Sequence, residues 1–286
     1  MSPPSAPPAT ATLAAPEYIE QGYLFELLRE RAEQNLPMQE LLEQVRYELL
    51  TTTKLPMAVE FCLTELRHSG TMAPAMHRLS HYFTSFQAYL IDQAEQETGR
   101  FTMAGALAIL EREAKYRVEG ATPAGMFFFH FEAVCRNRLK YDGGLTAAAG
   151  DPIYDRSWAS WILNLRSQIG LVDLTDLLIM ASEEYRDQLI AAGKPIDGKG
   201  PFLFGAKEGR IAMGNRRKDP LFLFAAMQRH LGYPAVPRPE PVKREAESIA
   251  SMARRMERME ARIKLLEEER RGGIDLTRFY EKGGPP

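Results

Sequence analysis

Cysteine is scarce in this chain of 286 residues, which contains only Cys62 and Cys135. A protein that depends on an oxidising compartment usually carries a larger, even set of cysteines. Both residues lie in apolar sequence with helical periodicity, so we expect two buried thiols in a reducing compartment, which favours a cytoplasmic location. Neither cysteine has a local sequence signature that indicates a nucleophile.

Long hydrophobic runs and an excess of one charge are also missing. Apolar stretches such as MAGALAIL and PLFLFAAM are far shorter than the roughly 20 residues that span a bilayer, so the sequence predicts no membrane insertion. Lys and Arg total 36, whereas Asp and Glu total 38. This balance lacks the basic excess that a phosphate backbone attracts, which argues against general nucleic-acid binding.

Strand signals are nearly absent, and helical periodicity replaces them. No long stretch alternates apolar and polar residues, and no Asn-Gly or Asp-Gly turn links two apolar runs. Apolar residues instead recur at helical spacing, and Pro37, Pro56, Pro123 and Pro220 each stand where a first helical turn tolerates them. The sequence therefore predicts an all-α fold, with a body of about eight to ten helices followed by a C-terminal coiled-coil helix.

Three stretches of the body refine this prediction. One continuous helix is expected from about Pro74 to Glu97. The glycines of YDGGLTAAAGDP are expected to break the helical pattern, and the glycine-rich stretch 193–219 is expected to be the most irregular part of the body. The very apolar segment MFFFHFEAVC is typical of a central helix.

Proline-rich stretches suggest the domain boundaries. YPAVPRPEP cannot continue a helix and suits a semi-rigid spacer. We expect a disordered leader at 1–16, an α-helical body at 17–232, a hinge at 233–241, a coiled coil at 242–271 and a flexible tail at 272–286. The tail has apolar residues that suit a groove on a protein partner, although a tail that packs beside the coil or stays loose is the competing interpretation.

Heptads in the C-terminal segment predict a coiled coil. Three consecutive heptads have apolar residues at both seam positions, a and d. The apolar seam residues are Ile249, Met252, Met256, Met259, Ile263 and Leu266. Basic g positions precede acidic e positions, which favours pairing between parallel chains. These charged residues are Arg255, Glu260, Arg262 and Glu267.

The heptads also suggest an oligomeric state. RMERME, from Arg255, and RIKLLE, from Arg262, both read Arg, apolar, two of any kind, apolar, Glu. This pattern resembles the short trimerisation motif of parallel three-stranded coiled coils, which implies a homotrimer. Two alternatives stay open at this point: the helix folds back and buries its methionines on its own body, or it binds a foreign helix. Methionine's flexibility suits all three interpretations.

Histidine patterns indicate no metal site. His77 and His81 are one helical turn apart, as in some zinc sites, but HRLSH lacks the glutamate of a metalloprotease and no third ligand is marked. Glu65 and His68 supply one Glu-x-x-His step, whereas a di-iron bundle needs two. We therefore predict neither a metal nor another cofactor.

Other candidates have ordinary structural explanations. His130, beside Glu132 in FFFHFE, is expected to be a hydrogen-bonded core histidine. Trp158 and Trp161 are three positions apart on one helix face and are expected to be core residues rather than a ligand platform.

The segment GAKEGRIAMGNRRK is rich in glycine and basic residues. It follows no predicted strand and contains no G-K-[ST], so it matches neither a P-loop nor a dinucleotide fingerprint. Two interpretations are left for this segment: a generic anion-binding patch or a solvated loop. The patch residues are Lys207, Arg210, Arg216, Arg217 and Lys218.

These observations favour a non-catalytic, homo-oligomeric assembly or adaptor protein whose main partner is itself. The only strong motif concerns association, and no catalytic residue can be assigned. The alternative is a helical enzyme, or a binder of anionic or phosphate-bearing ligands, that uses the glycine-rich basic loop 205–218. Helical enzymes often carry no linear motif, so the absence of one is weak evidence against catalysis.

Overall fold

The computed structural model describes residues 12–32, 36–96, 101–238, 252–253 and 256–264. Within these ranges the chain forms helices joined by turns and loops, with only two isolated β-bridges, so the predicted all-α class is confirmed. None of the described helices combines the length and the apolar composition that crossing a bilayer requires. The helices of the body are α1 (Ala15–Ala32), α2 (Met38–Val45), α3 (Leu55–Ser69), α4 (Ala73–Arg78), α5 (Ser85–Glu95), α6 (Met103–Val118), α7 (Pro123–Arg136), α8 (Tyr141–Ala149), α9 (Arg156–Gln168), α10 (Leu174–Met180), α11 (Glu183–Ala191), α12 (Ala206–Gly214) and α13 (Pro220–Leu231). Residues 256–264 form a further helix, α14.

The described part of the body has more helices than the eight to ten expected, partly because the stretch 74–97 is not one helix. It forms α4 and α5, with a turn between them. Thr84 caps α5: its hydroxyl accepts from the backbone N–H of Gln87 at 3.3 Å, and the Gln87 side chain accepts from the N–H of Thr84 at 3.1 Å. This reciprocal capping box starts a new helix where periodicity alone predicted continuation.

The glycines near residue 143 do not break the helical pattern, contrary to expectation, because they belong to α8. A Cβ atom at Gly144 would lie 2.7 Å from Cγ2 of Val134, on α7, and 3.4 Å from Cε1 of Tyr89, on α5. Glycine therefore allows α8 to approach two neighbouring helices closely.

Helix α7 lies at the centre of the body, as its apolar sequence predicted. Every residue from Gly125 to Val134 is buried. The ring of Phe127 lies 5.9 Å from that of Phe204, which also contacts Trp158 at 5.0 Å and Trp161 at 5.1 Å between ring centroids. Trp158 is thus buried in the aromatic core, as expected, whereas Trp161 is half-buried and packs against that core.

The core extends past α13 into the segment predicted to be a hinge. The hydroxyl of Tyr233 donates to Oε2 of Glu132 at 2.7 Å and contacts the carbonyl of Phe224 at 3.0 Å. Val236 is also a core residue. The boundaries of the hinge, coil and tail stay predictions, because residues 239–251 and 265–286 lie outside the described ranges.

Candidate functional site

The apolar seam of the C-terminal helix is exposed where the structure describes it. Met252, Met256, Met259 and Ile263 are between 53% and 63% exposed. The neighbouring charged residues Glu260 and Arg262 are exposed as well. Of the predicted oligomerisation residues, Ile249, Arg255, Leu266 and Glu267 lie outside the described residues.

The opposite side of α14 contacts the body. Glu257, Arg258 and Ala261, at heptad positions b, c and f, are half-buried. Arg258 lies against Gly70, the left-handed C-cap of α3, where an added Cβ atom would come within 3.0 Å of the Cα of Arg258. The helix α14 therefore contacts the body through one face, while its apolar seam stays exposed.

The five residues of the predicted anion patch are all exposed, and two of them form ion pairs with carboxylates. Arg210 pairs with Glu184 at 3.5 Å, and Arg216 pairs with Asp176 at 2.6 Å. Much of the segment expected to be a loop is α12, so the expectation of an irregular stretch is wrong for 206–214. Lys218 lines an open groove of about 540 Å³ between α12 and α13, together with Arg229.

A buried polar cluster, which the sequence did not mark, lies beside the central helix. Glu113 and Arg117 lie on α6, and Asp151 precedes α9. The guanidinium of Arg117 donates to Oε1 of Glu113 at 3.0 Å and to Oδ1 of Asp151 at 3.2 Å. All three side chains are at most 3% exposed.

The electrostatics of this cluster favour charged side chains. Burial raises the pKa of the Glu113 carboxyl, but the charge of Arg117 and the proximity of His130 outweigh this effect and lower the pKa to about 2. Burial lowers the pKa of Arg117, but its neighbours Asp151 and Glu113 outweigh this effect and raise the pKa well above its usual value. The side chains of Arg117 and Glu113 therefore both remain charged in the interior.

His130, on α7, completes the cluster. Its ring stacks on Phe86, with centroids 3.9 Å apart, and is 1% exposed, so its predicted place in the core is confirmed. The predicted hydrogen bond is not found: neither ring nitrogen has a hydrogen-bond partner in the described part of the chain. Nε2 lies 3.6 Å from Oε1 of Glu113, while Glu132 pairs with Arg136 instead.

The sequence held one signal for this cluster. Positions 103, 106, 107, 110, 114 and 117 follow the helical spacing of one buried face, and Glu113 falls on that face beside Leu110 and Ala114. Charged residues within an apolar stripe indicate a buried ion pair rather than a solvated one. No local pattern linked α6 to His130 or Asp151.

The other sequence candidates remain apart. His77 and His81 are both exposed, and α4 ends at Arg78, so the two histidines do not share one helical face. Glu65 pairs with Arg78 at 2.8 Å. Burial raises the pKa of the Cys62 thiol to about 12 and that of Cys135 to about 11, so neither is a thiolate at neutral pH.

Comparisons with models of known protein families, with curated proteins and with solved structures found no match to this chain.

Proposed function

We propose that this protein is a non-catalytic assembly or adaptor protein that forms homo-oligomers through a parallel coiled coil of its C-terminal helices. The observation that carries the proposal is the exposure of Met252, Met256, Met259 and Ile263 along one side of the helical segment. An apolar stripe that stays in water is unfavourable by about 25 cal/mol for each Å² that association would bury.

The occupant that best fits this seam is the same helix from another copy of the chain. Basic residues at g and acidic residues at e complement each other between parallel copies, as Arg262 and Glu267 would in register. The tandem motif at Arg255 and Arg262 favours a trimer. Because Arg258 and its neighbours contact the body through another face of α14, the body contact leaves the seam accessible to other chains.

The decisive test places a charge in the seam. We expect the full chain to sediment as a trimer and Met256→Lys to sediment as a monomer with unchanged helical content, because an ammonium group in a desolvated seam is strongly unfavourable. Met57→Lys makes the same chemical change at a side chain that is 76% exposed on α3, so it should leave the trimer intact.

Other outcomes would contradict the proposal. A wild-type mass equal to that of one chain at all concentrations would rule out self-association. An oligomer that survives Met256→Lys would place the interface elsewhere, and unfolding of the body by this substitution would mean that the seam stabilises the body.

The alternative function, binding of anionic ligands at 205–218, has less support, because Arg210 and Arg216 are already paired with carboxylates. It can be tested by calorimetric titration with inorganic phosphate. If the patch were a site, replacement of Arg216, Arg217 and Lys218 by Ala would weaken the binding of phosphate, since fixed cations hold anions jointly.

A further inference from the structure

We propose that Glu113, His130 and Asp151 bind one divalent transition-metal ion, such as Zn²⁺, in the interior of the helical body. Each residue offers one ligand atom, and these atoms all lie within 4.8 Å of one another. The three residues are 0%, 1% and 2% exposed, respectively. The inference is independent of the proposed self-association, because none of these residues lies on α14.

Unpartnered atoms point to a ligand at this place. Both ring nitrogens of His130 and Oε2 of Glu113 are buried without a hydrogen-bond partner in the described part of the chain, and so is the hydroxyl of Tyr154. A buried polar atom without a partner costs about 1–3 kcal/mol. One metal ion would satisfy a nitrogen of His130 and an oxygen of Glu113 together.

The candidate carboxyl ligands share one neighbour, Arg117. Glu113 and Asp151 both pair with its guanidinium, and these side chains are at most 3% exposed. Arg117 binds Oε1 of Glu113, which leaves Oε2 of the same carboxyl group for a metal ion.

The separation of the donor groups suits a shared metal ion. Nε2 of His130 stands 3.6 Å from Oε1 of Glu113, beyond normal hydrogen-bond distance. Two ligands of a tetrahedral zinc ion, each about 2.1 Å from the metal, are about 3.4 Å apart. The observed separation is thus close to that of two ligands sharing one ion.

The surroundings hold the donor groups in position. The ring of His130 is fixed by stacking on Phe86. Arg117 holds Glu113 and Asp151 from one side, and the backbone N–H of Ile153 donates to Oδ1 of Asp151 at 3.0 Å. Hydrogen bonds of this kind orient the ligands of protein metal sites.

The donor set indicates the kind of metal site. One imidazole with two carboxyl groups suits Zn²⁺ and neighbouring transition metals better than Mg²⁺ or Ca²⁺, which prefer oxygen ligands alone. Because all three donor residues are at most 2% exposed, the ion would have a structural role.

The experiment uses the full chain expressed in medium supplemented with Zn²⁺, then dialysed against buffer without metal. We expect one zinc ion per chain by elemental analysis, and a thermal midpoint that falls by several degrees when a strong chelator removes the ion. His130→Phe should retain no zinc. Phenylalanine preserves the stacking on Phe86 and removes unpartnered nitrogens, so the variant should fold.

A matched control separates this site from surface binding. The double substitution His68→Ala and His77→Ala removes two exposed histidines and should leave one zinc ion per chain. Wild-type protein without retained metal would overturn the proposal. Zinc retained by His130→Phe, or lost in the double variant, would equally overturn it, because the ion would then be bound elsewhere.

Discussion

Arg117 and Asp151, 34 positions apart in sequence, form an ion pair in the interior of the body, and Arg117 also pairs with Glu113. Both side chains of this pair are at most 3% exposed. The guanidinium thereby joins α6 to the turn that precedes α9. Among the described residues, only Arg117 donates hydrogen bonds to both Glu113 and Asp151, so we expect the network to depend on Arg117.

Replacing Arg117 by Met should therefore destabilise the protein strongly. The substitution leaves two buried carboxylates without their guanidinium, and breaking a buried pair typically costs about 3–5 kcal/mol. Urea denaturation measures the free energy of unfolding. Arg67→Met is the matched control: Arg67 pairs with Glu43 at the surface, where ion pairs contribute at most about 1 kcal/mol. Equal effects of the two substitutions would contradict this account.

Gly144→Ala should destabilise the packing of α8 by about 1–3 kcal/mol, because the new methyl group would lie too close to Val134. Gly214→Ala, at the end of α12, is the control, since no atom would lie within 4 Å of its added Cβ. We expect that substitution to be neutral, or stabilising by about 0.5–1 kcal/mol. Thermal denaturation of both variants compares them. A harmless Gly144→Ala would mean that α8 does not need this close approach.

Glu95 should make stability depend on pH. Burial raises the pKa of its carboxyl from 4.5 to about 7, and Asp92 adds to the rise, although the N–H groups of Met72 and Ala73 and the charge of Arg258 oppose it. The folded protein thus binds this proton more tightly than the unfolded chain does. The stability from Glu95 is complete below pH 4.5 and is lost as pH rises towards about 7.

Glu95→Gln tests this expectation, because glutamine cannot ionise. Wild-type stability relative to the variant should fall between pH 4.5 and pH 7; one pKa unit corresponds to about 1.4 kcal/mol, so we expect a change on the order of 2 kcal/mol. Denaturation series at several pH values measure the difference. Parallel curves for the two proteins would contradict the raised pKa.

Exchanging the charges that flank the seam should test parallel association. One variant carries Arg255→Glu and Arg262→Glu, and a second carries Glu260→Arg and Glu267→Arg. Each alone should associate more weakly than the wild type, since like charges then face each other between chains. A third variant that carries all four substitutions restores opposite charges between the g and e positions and should recover the mass of the wild-type oligomer in sedimentation. A fourfold variant that stays dissociated would argue against pairing between these positions.

The sequence alone determined the fold class and the most prominent helices. Apolar spacing along α1 and α7 indicated helices because the side chains that face the core recur with the period of the helix. Side chains of a strand alternate between two faces, and no long stretch of the sequence alternates in this way, so a sheet was not expected. The apolar stripe through Met256 and Met259 could likewise be recognised from its spacing, although spacing did not say what covers it.

Local sequence failed where a contact with a distant segment decided the outcome. Glycines near Gly144 looked like helix breakers, yet they lie within α8, where Val134 and Tyr89 come too close to Gly144 to leave room for a side chain. The proline-rich sequence after α13 carries no local sign of a core contact, yet Tyr233 hydrogen-bonds to Glu132 and belongs to the core.

Only the tertiary structure assembled the candidate metal site. Glu113 and His130 come from different helices, and Asp151 comes from the turn before a third. Helical periodicity reflects which side of a segment faces the core, and it can be read from neighbouring residues. A site built from three segments depends on how those segments pack against each other, and no local spacing carries that information.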